Sequence, residues 1–152
     1  MSLLKTPPRR VVTGLDDQGR SCVIFDGPVP DHGGLAKVVW RTTTAPADNS
    51  GVADTAAPFS MQMFRDGGAN FVITEIPPGM GRFMHATDTI DYLIILSGRV
   101  VLEPEVGEAE VGPGDFVVDR GTVHSWRNDG QEPAVMAGVT LPAIPLATGR
   151  AT

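Results

Sequence analysis

The sequence lacks the features that mark membrane, disulfide-stabilised and nucleic-acid-binding proteins. Its single cysteine, Cys22, excludes an internal disulfide, and its place in a short apolar run suggests a buried, unreactive thiol. The longest apolar runs, such as the one around residues 93–96, have about five residues, whereas a membrane-spanning helix needs about 20. The 12 basic residues do not cluster and are outnumbered by 18 acidic ones, which argues against contacts with nucleic-acid phosphates.

The N-terminus, MSLLKTPPRR, lacks the apolar core and the small-residue cleavage site of a secretory signal. We therefore expect a cytoplasmic protein whose partners are small molecules and include neither nucleic acid nor membrane. The formal net charge of −6 mainly favours solubility.

Turn-forming residues are abundant and are spread along the whole chain. The 18 glycines and 13 prolines separate short runs rich in Val, Ile, Phe and Thr, which is typical of many short strands joined by turns. Helical periodicity is weak and confined to residues 55–64, where Pro58 interrupts it. We predict an all-β protein with strands at residues 10–13, 21–25, 37–42, 70–76, 82–86, 91–97, 99–103, 109–111, 115–118, 123–127 and 134–140.

The length and the 41% hydrophobic content fit a single packed core. We predict one domain over residues 1–152. Its parts are N-terminal strands in 1–43, a polar, proline-bearing loop in 44–60, a barrel core in 70–140 and a loosely attached tail in 141–152.

The stretch GMGRFMHATDTIDYLIILSG, residues 79–98, places a histidine, a hydroxyl and a carboxylate at strand spacing. Side chains two apart in a strand share a face, so His85, Thr87 and Asp91 converge if that face is the interior of a barrel. A carboxylate in an apolar interior costs several kcal/mol unless it meets solvent, a donor such as Arg82, or a cation. With histidines close by, the pattern favours a metal ion.

A second stretch, GDFVVDRGTVHSWRN, residues 114–128, supplies another histidine after another glycine turn. The first stretch resembles motif 1 of the cupin superfamily, G(x5)HxH(x3-4)E(x6)G, with every spacing kept. The second resembles cupin motif 2, G(x5)PxG(x2)H(x3)N, through Gly114, Gly121, His124 and Asn128; it is one residue shorter, and Asp119 stands where proline is usual. The resemblance implies a small single-domain cupin of the Cupin_2 type, folded as a double-stranded β-helix (jelly roll). It also implies a homodimer.

The resemblance further implies a divalent metal held by three histidines and a glutamate. This chain keeps His85 and His124, replaces the middle histidine with Thr87 and shortens the acid to Asp91. We therefore predict His85, Asp91 and His124 as metal ligands. Two histidines and a carboxylate suit non-haem Fe(II), although the same set binds Zn, Mn, Ni or Co. Asp91 as a buried hydrogen-bond acceptor is the alternative.

The alternation of side chains along a strand predicts which residues line the pocket beside the proposed metal ligands. Residues two apart from the predicted ligands are mostly apolar, so an aromatic, terpenoid or polyketide-like ligand is favoured, although any barrel core would look the same. The same alternation leaves Tyr92 outside or at a subunit interface. The predicted pocket residues are Phe83, Thr87, Leu93, Ile95 and Trp126.

The leading hypothesis is a metal-dependent, dioxygenase-like or related enzyme acting on a small organic molecule. Oxygenase, isomerase, cyclase and decarboxylase chemistries all remain open, and the pattern does not indicate which residue performs the reaction. The alternative is a cupin that binds a small molecule without turning it over, which the loss of one histidine favours.

Overall fold

The computed structural model describes residues 6–146, which are nearly all β. The strands within this range are β1 (Arg9–Leu15), β2 (Ser21–Pro28), β3 (Ala36–Arg41), β4 (Asn70–Ile76), β5 (Thr89–Ser97), β6 (Val100–Pro104), β7 (Ala109–Val111), β8 (Phe116–Asp119), β9 (His124–Arg127) and β10 (Ala134–Pro142). One turn of 3-10 helix, Met61–Phe64, lies between β3 and β4. The prediction of an all-β fold is confirmed.

Two sheets enclose the main core. One has five antiparallel strands in the order β3-β4-β10-β5-β8, and the other has three in the order β7-β6-β9. Residues from both, including Ile95 and Met136 from the first and Val100 and Trp126 from the second, form one buried apolar cluster. The two sheets therefore pack face to face as the predicted double-stranded β-helix of the jelly-roll type.

Alternation along the strands separates the two faces of the five-stranded sheet. On β5, Leu93 packs against the core and Ile95 lies in it, whereas Tyr92 and Leu96 are about half exposed. Opposite Leu93, β10 carries Gly138, where a Cβ would lie 2.3 Å from Leu93 Cδ2. The glycine thus makes room for a leucine of the neighbouring strand.

The predicted strand at residues 82–86 does not form. His85 makes an isolated antiparallel bridge with His124, and the Phe83 N–H donates to Ser125 Oγ at 2.9 Å instead of to a backbone carbonyl. The ladder therefore stops after one bridge. The other predicted strands are present with shifts of up to three residues at their ends, and those at 70–76 and 109–111 match without change.

The N-terminal hairpin of β1 and β2 forms a separate two-stranded sheet. The loop of residues 44–60 follows β3 and touches it through a bridge between Lys37 and Pro58. Arg10 of β1 ties hairpin and loop together, because its guanidinium bonds the carbonyl of Val39 and the carboxylate of Asp54.

The predicted tail is only partly covered, since residues 147–152 lie outside the described range. Within that range no helix is long and apolar enough to span a membrane. The division of the chain into one domain with the parts given above stays a prediction.

Candidate functional site

Polar side chains form a row across the inner face of the five-stranded sheet. Thr140 of β10 is paired with Asn70 of β4 on one side and with Asp91 of β5 on the other, and Asp91 is paired with Asp119 of β8. Directly opposed residues share a face, so these four side chains point to the same interior. The rows behind them are apolar, which places the polar groups at one end of the barrel.

His85 and His124 face each other at this end. Each donates its backbone N–H to the carbonyl of the other at 2.9 Å, which fixes them as a directly opposed pair on one face. Their imidazole centroids are 4.6 Å apart. Two of the three predicted metal ligands therefore lie side by side, although their role as ligands stays a prediction.

The hydrogen bonds of the two rings define their tautomers. His124 Nδ1 lies 2.9 Å from the Thr122 carbonyl oxygen and 2.7 Å from Asp119 Oδ2, and His85 Nδ1 lies 3.0 Å from the Phe83 carbonyl oxygen. All of these partners are acceptors, so each Nδ1 must carry the proton. In the neutral form, both rings then keep their lone pair on Nε2.

Three residues of motif 1 form a hydrogen-bonded chain. Thr87 Oγ1 and Thr89 Oγ1 are 2.7 Å apart, and the Thr89 hydroxyl donates to Asp91 Oδ1 at 2.7 Å. Thr89 has one hydroxyl proton, so while Asp91 is ionised Thr89 must accept from Thr87. Thr87, which stands at the position of the missing histidine, therefore supports the carboxylate through Thr89.

Burial and charge shift the pKa values of the site. Burial raises the pKa of Asp91 to about 6; the Thr89 hydrogen bond opposes the rise, the Asp119 charge adds to it, and the His124 charge opposes it. Burial also disfavours charge on His124, but hydrogen bonds to Asp119 and to the Thr122 carbonyl outweigh it and raise the pKa of His124. Burial likewise acts against ionisation of Asp119, yet its bond to His124 leaves the pKa of Asp119 lowered.

The predicted pocket residues occupy different environments. Thr87 is buried at the site, and Phe83 is 66% exposed, with its ring stacked on that of His85 at 5.2 Å. Ile95 and Trp126 belong to the packed core, and Leu93 packs against it. The Trp126 ring still meets the His124 ring edge-on at 6.2 Å. These five residues as a substrate pocket stay a prediction.

A metal ion fits the histidine pair, since imidazole Nε2 atoms are common ligands of divalent metals. Within residues 6–146, however, no three His, Cys, Asp or Glu side chains lie in an arrangement that could hold a metal ion. The Nε2 atoms of His85 and His124 are two potential ligands, and Asp91 does not form a three-residue cluster with them. The assignment of His85, Asp91 and His124 as metal ligands stays a prediction.

Sequence reasoning missed two residues of the site, Asp119 and Thr89. The sequence shows Asp119 only as a departure from proline in motif 2, and Thr89 falls between the predicted strands at 82–86 and 91–97 although it begins β5. Strand parity with Asp91 would have found Thr89. Asp119 could not be found in this way because its contact with His124 depends on the turn between β8 and β9.

The loop of residues 44–60 borders a second pocket, away from the histidine pair. Together with the N-terminal hairpin and the end of β3 it borders this open pocket of about 680 Å³, lined by Thr13, Arg41, Asp48 and Thr55 among others. The lining is rich in hydroxyl groups. This pocket is separate from the histidine pair.

The jelly roll, with both motifs meeting at one end of its interior, defines a cupin barrel. A family model, the Cupin_2 cupin domain, matches residues 72–141. The chain belongs to the cupin superfamily.

Relatives are found among fungal proteins. Phomopsin biosynthesis cluster protein D from Diaporthe leptostromiformis is 33% identical over 154 residues, which cover 91% of this chain and 80% of the relative. Cupin-domain-containing oxidoreductase fogC from Aspergillus ruber is 27% identical, over 78% of this chain and 63% of the relative. Among solved structures, an RmlC-like cupin family protein with a double-stranded β-helix fold from Methanocaldococcus jannaschii is 18% identical, with a TM-score of 0.45 over 49% of this chain and 70% of that one.

Proposed function

We infer that this chain is an enzyme that transforms a small organic molecule at the polar end of its barrel, with a divalent metal held there. The observation that carries this proposal is the opposed histidine pair, whose Nδ1 atoms are both committed to acceptors and whose Nε2 atoms remain for a ligand. We assign His85 and His124 as two metal ligands and Asp91 as the third. When bound, such a metal supplies Lewis-acid or, as iron, redox chemistry.

The residues of the chain have separate tasks in this proposal. The Phe83 and Thr122 carbonyls orient the two imidazoles, and the Phe83 ring shields one side of His85 from water. Thr89 holds Asp91 through a hydrogen bond to Oδ1, and we assign the other oxygen, Oδ2, to the metal. Because burial raises the pKa of Asp91 to about 6, a cation bound at the site would offset the cost of keeping this buried carboxylate ionised.

The relatives favour a step in natural-product assembly. Their names describe biosynthesis cluster proteins and cupin-domain oxidoreductases, which supports oxidation ahead of isomerisation, cyclisation or decarboxylation. The exposed Phe83 ring stacked on His85 is suited to a flat, aromatic or polyketide-like substrate. We therefore propose an oxygenase-type reaction on such a molecule.

The test is metal analysis of untagged protein reconstituted with Fe(II), Mn(II) or Zn(II). His85→Ala, His124→Ala and Asp91→Ala are compared with His32→Ala, which alters the third histidine, an exposed one in a loop. We expect near-stoichiometric metal in the wild type and in His32→Ala, and loss of metal in the two site-histidine variants. Loss in Asp91→Ala as well would identify the third ligand.

A wild-type protein that takes up none of these metals would contradict the metal-dependent proposal. The second candidate, a barrel that binds a small molecule without turnover, would then be preferred. One observation favours it already, namely that within residues 6–146 no three potential ligands are clustered. Binding of aromatic compounds that is unchanged in His85→Ala, without oxygen uptake in the presence of Fe(II), would support this second function.

A further inference from the structure

Asp119 is a buried carboxylate at the end of β8, next to the site. It is 6% exposed and lies directly across from Asp91 of β5. Two acidic side chains facing one interior repel each other, so each needs compensation from its own partners. Asp91 has Thr89, whereas the partners of Asp119 lie in the turn that leads to β9.

Asp119 divides its two oxygens between this turn and His124. Oδ1 accepts from the Thr122 backbone N–H at 3.3 Å and from the Thr122 hydroxyl at 3.1 Å, while Oδ2 lies 2.7 Å from His124 Nδ1. The turn passes through Gly121, at φ +70°, where a Cβ would lie 3.0 Å from the Thr87 carbonyl oxygen. The turn is therefore fitted closely against the motif 1 segment.

The Asp119 carboxylate thus acts on both acceptors of the His124 Nδ1 proton. Oδ2 is one acceptor, and the other, the Thr122 carbonyl, belongs to the residue that Oδ1 holds in place. A free neutral imidazole carries its proton mainly on Nε2, so the Nδ1–H form in the protein requires such acceptors. His124 is also 4% exposed, so its ring has little water to exchange partners with.

We propose that Asp119 is a positioning residue that holds His124 in the Nδ1–H tautomer and aims its Nε2 into the barrel. Carboxylates that accept the second ring proton of a ligating histidine fix its orientation and increase its basicity. The part of this role that concerns metal rests on the function proposed above. The tautomer itself does not, since it follows from the hydrogen bonds alone.

The chain provides an internal reference in His85. Its Nδ1 donates to the carbonyl of Phe83, a neighbour in sequence, and this bond does not involve Asp119. A change at Asp119 that acts only through His124 should therefore leave the His85 tautomer unaltered, even though the two rings are in contact. Loss of the fold would disturb both rings.

The experiment is long-range ¹H–¹⁵N NMR of the histidine rings in metal-free protein, recorded in alkaline buffer where the rings are neutral. With three histidines in the chain, the signals are assigned from His32→Gln and His85→Gln variants. The wild type should show a pyrrole-type Nδ1 and a pyridine-type Nε2 for His124. Asp119→Leu, similar in volume and without acceptors, should shift His124 toward the Nε2–H tautomer while His85 keeps its Nδ1–H tautomer.

Asp119→Asn is the conservative variant, because its carbonyl oxygen can still accept from Nδ1–H. It should keep the wild-type tautomer. Thr122→Val, which retains the backbone carbonyl and removes only the hydroxyl, should keep it as well. An unchanged His124 pattern in Asp119→Leu, or an Nε2–H pattern in the wild type, would overturn the proposal.

Titration with Co(II) alone separates this proposal from the proposed function. If His124 ligates metal, Asp119→Leu should bind Co(II) about 10–100-fold more weakly than the wild type, with Asp119→Asn in between. A wild type that binds no Co(II) but shows the predicted tautomer pattern would contradict the metal assignment and still support the role of Asp119. Equal Co(II) affinity in wild type and Asp119→Leu would overturn that role at a metal-binding His124.

Discussion

Asn128 ends motif 2 and holds the barrel together without taking part in the site. Its amide nitrogen donates to the Ile76 and Glu132 carbonyls, and its oxygen accepts from the Gly130 N–H, each at 2.9 Å. The side chain is 1% exposed. Asn128→Ala removes all three bonds, including the one to the buried Ile76 carbonyl, so we expect the free energy of unfolding to fall by roughly 2–4 kcal/mol.

Urea denaturation measures this change, with Asn49→Ala in the exposed loop as the control. The folded variant should keep the ring contacts of His85 and His124 because Asn128 does not touch them. If the free energy of unfolding falls no more than in Asn49→Ala, the prediction is contradicted, and water would then replace the three hydrogen bonds of the Asn128 side chain.

Gly138 is required by the packing of its neighbours. A Cβ there would lie 2.3 Å from Leu93 Cδ2 and 2.7 Å from the Tyr92 carbonyl oxygen. Gly138→Ala should destabilise the protein by roughly 1–3 kcal/mol through overpacking. Because the Tyr92 oxygen belongs to the backbone, adding Leu93→Ala should not restore stability. Thermal unfolding of the single and double variants checks this, and full recovery in the double variant would assign the whole strain to Leu93.

At the scale of elements, the link between the N-terminal hairpin and the loop of residues 44–60 depends on one ion pair. Arg10 is 8% exposed and bonds both oxygens of Asp54, and hydrogen bonding to Arg10 is the main reason that the pKa of Asp54 is lowered. Asp54→Asn should therefore reduce the free energy of unfolding at neutral pH by roughly 1–3 kcal/mol.

The sign of the pH dependence follows from that lowered pKa. A carboxyl group that binds its proton less well in the folded state stabilises the fold above its unfolded pKa of about 4, and the contribution disappears as the pH falls through the folded value. The stability difference between wild type and Asp54→Asn should thus be full at neutral pH and shrink in acid. Asp17→Asn, at an exposed turn residue, is the control. A difference that is independent of pH would assign the effect to packing.

The strands show how far sequence reasoning reaches. Turn residues and β-branched runs located nearly every strand, because alternation and glycine turns are local properties. The prediction of a strand at residues 82–86 was wrong, because a strand needs backbone hydrogen bonds to a neighbouring strand. There the Phe83 N–H donates to the Ser125 hydroxyl instead of to a backbone carbonyl. Motif spacing assigned His85 and His124 to one site, but neither their direct opposition nor the Asp119 contact could be predicted, because both depend on the three-dimensional path of the turns.

At the scale of the whole molecule, the outer face of the five-stranded sheet carries exposed apolar side chains. We define this outer face by residues on β4, β5 and β8 that are 44–78% exposed, namely Phe71, Tyr92, Leu96, Phe116 and Val118. They line an open groove of about 480 Å³. Contiguous apolar surface of this kind is typical of protein interfaces, which supports the expected homodimer.

Phe116→Glu places a charge at the most exposed of these positions and should weaken the dimer. Val106→Glu is the matched control, because Val106 is 89% exposed but lies in the turn between β6 and β7. Light scattering coupled to gel filtration over a range of concentrations should show dimers for wild type and the control, and monomers for Phe116→Glu. A monomeric wild type would show that the outer face is not a dimer interface.

His85 is joined to His124 by an isolated bridge and does not belong to a continuous strand ladder. Two backbone hydrogen bonds hold the rings opposite each other, and opening them requires no strand to unfold. We therefore expect this segment to open locally more readily than the barrel core, and we expect a ligand that binds both rings to stabilise the bridge. Hydrogen exchange of the two histidine amides should slow together when such a ligand binds, whereas exchange in the barrel core should not change.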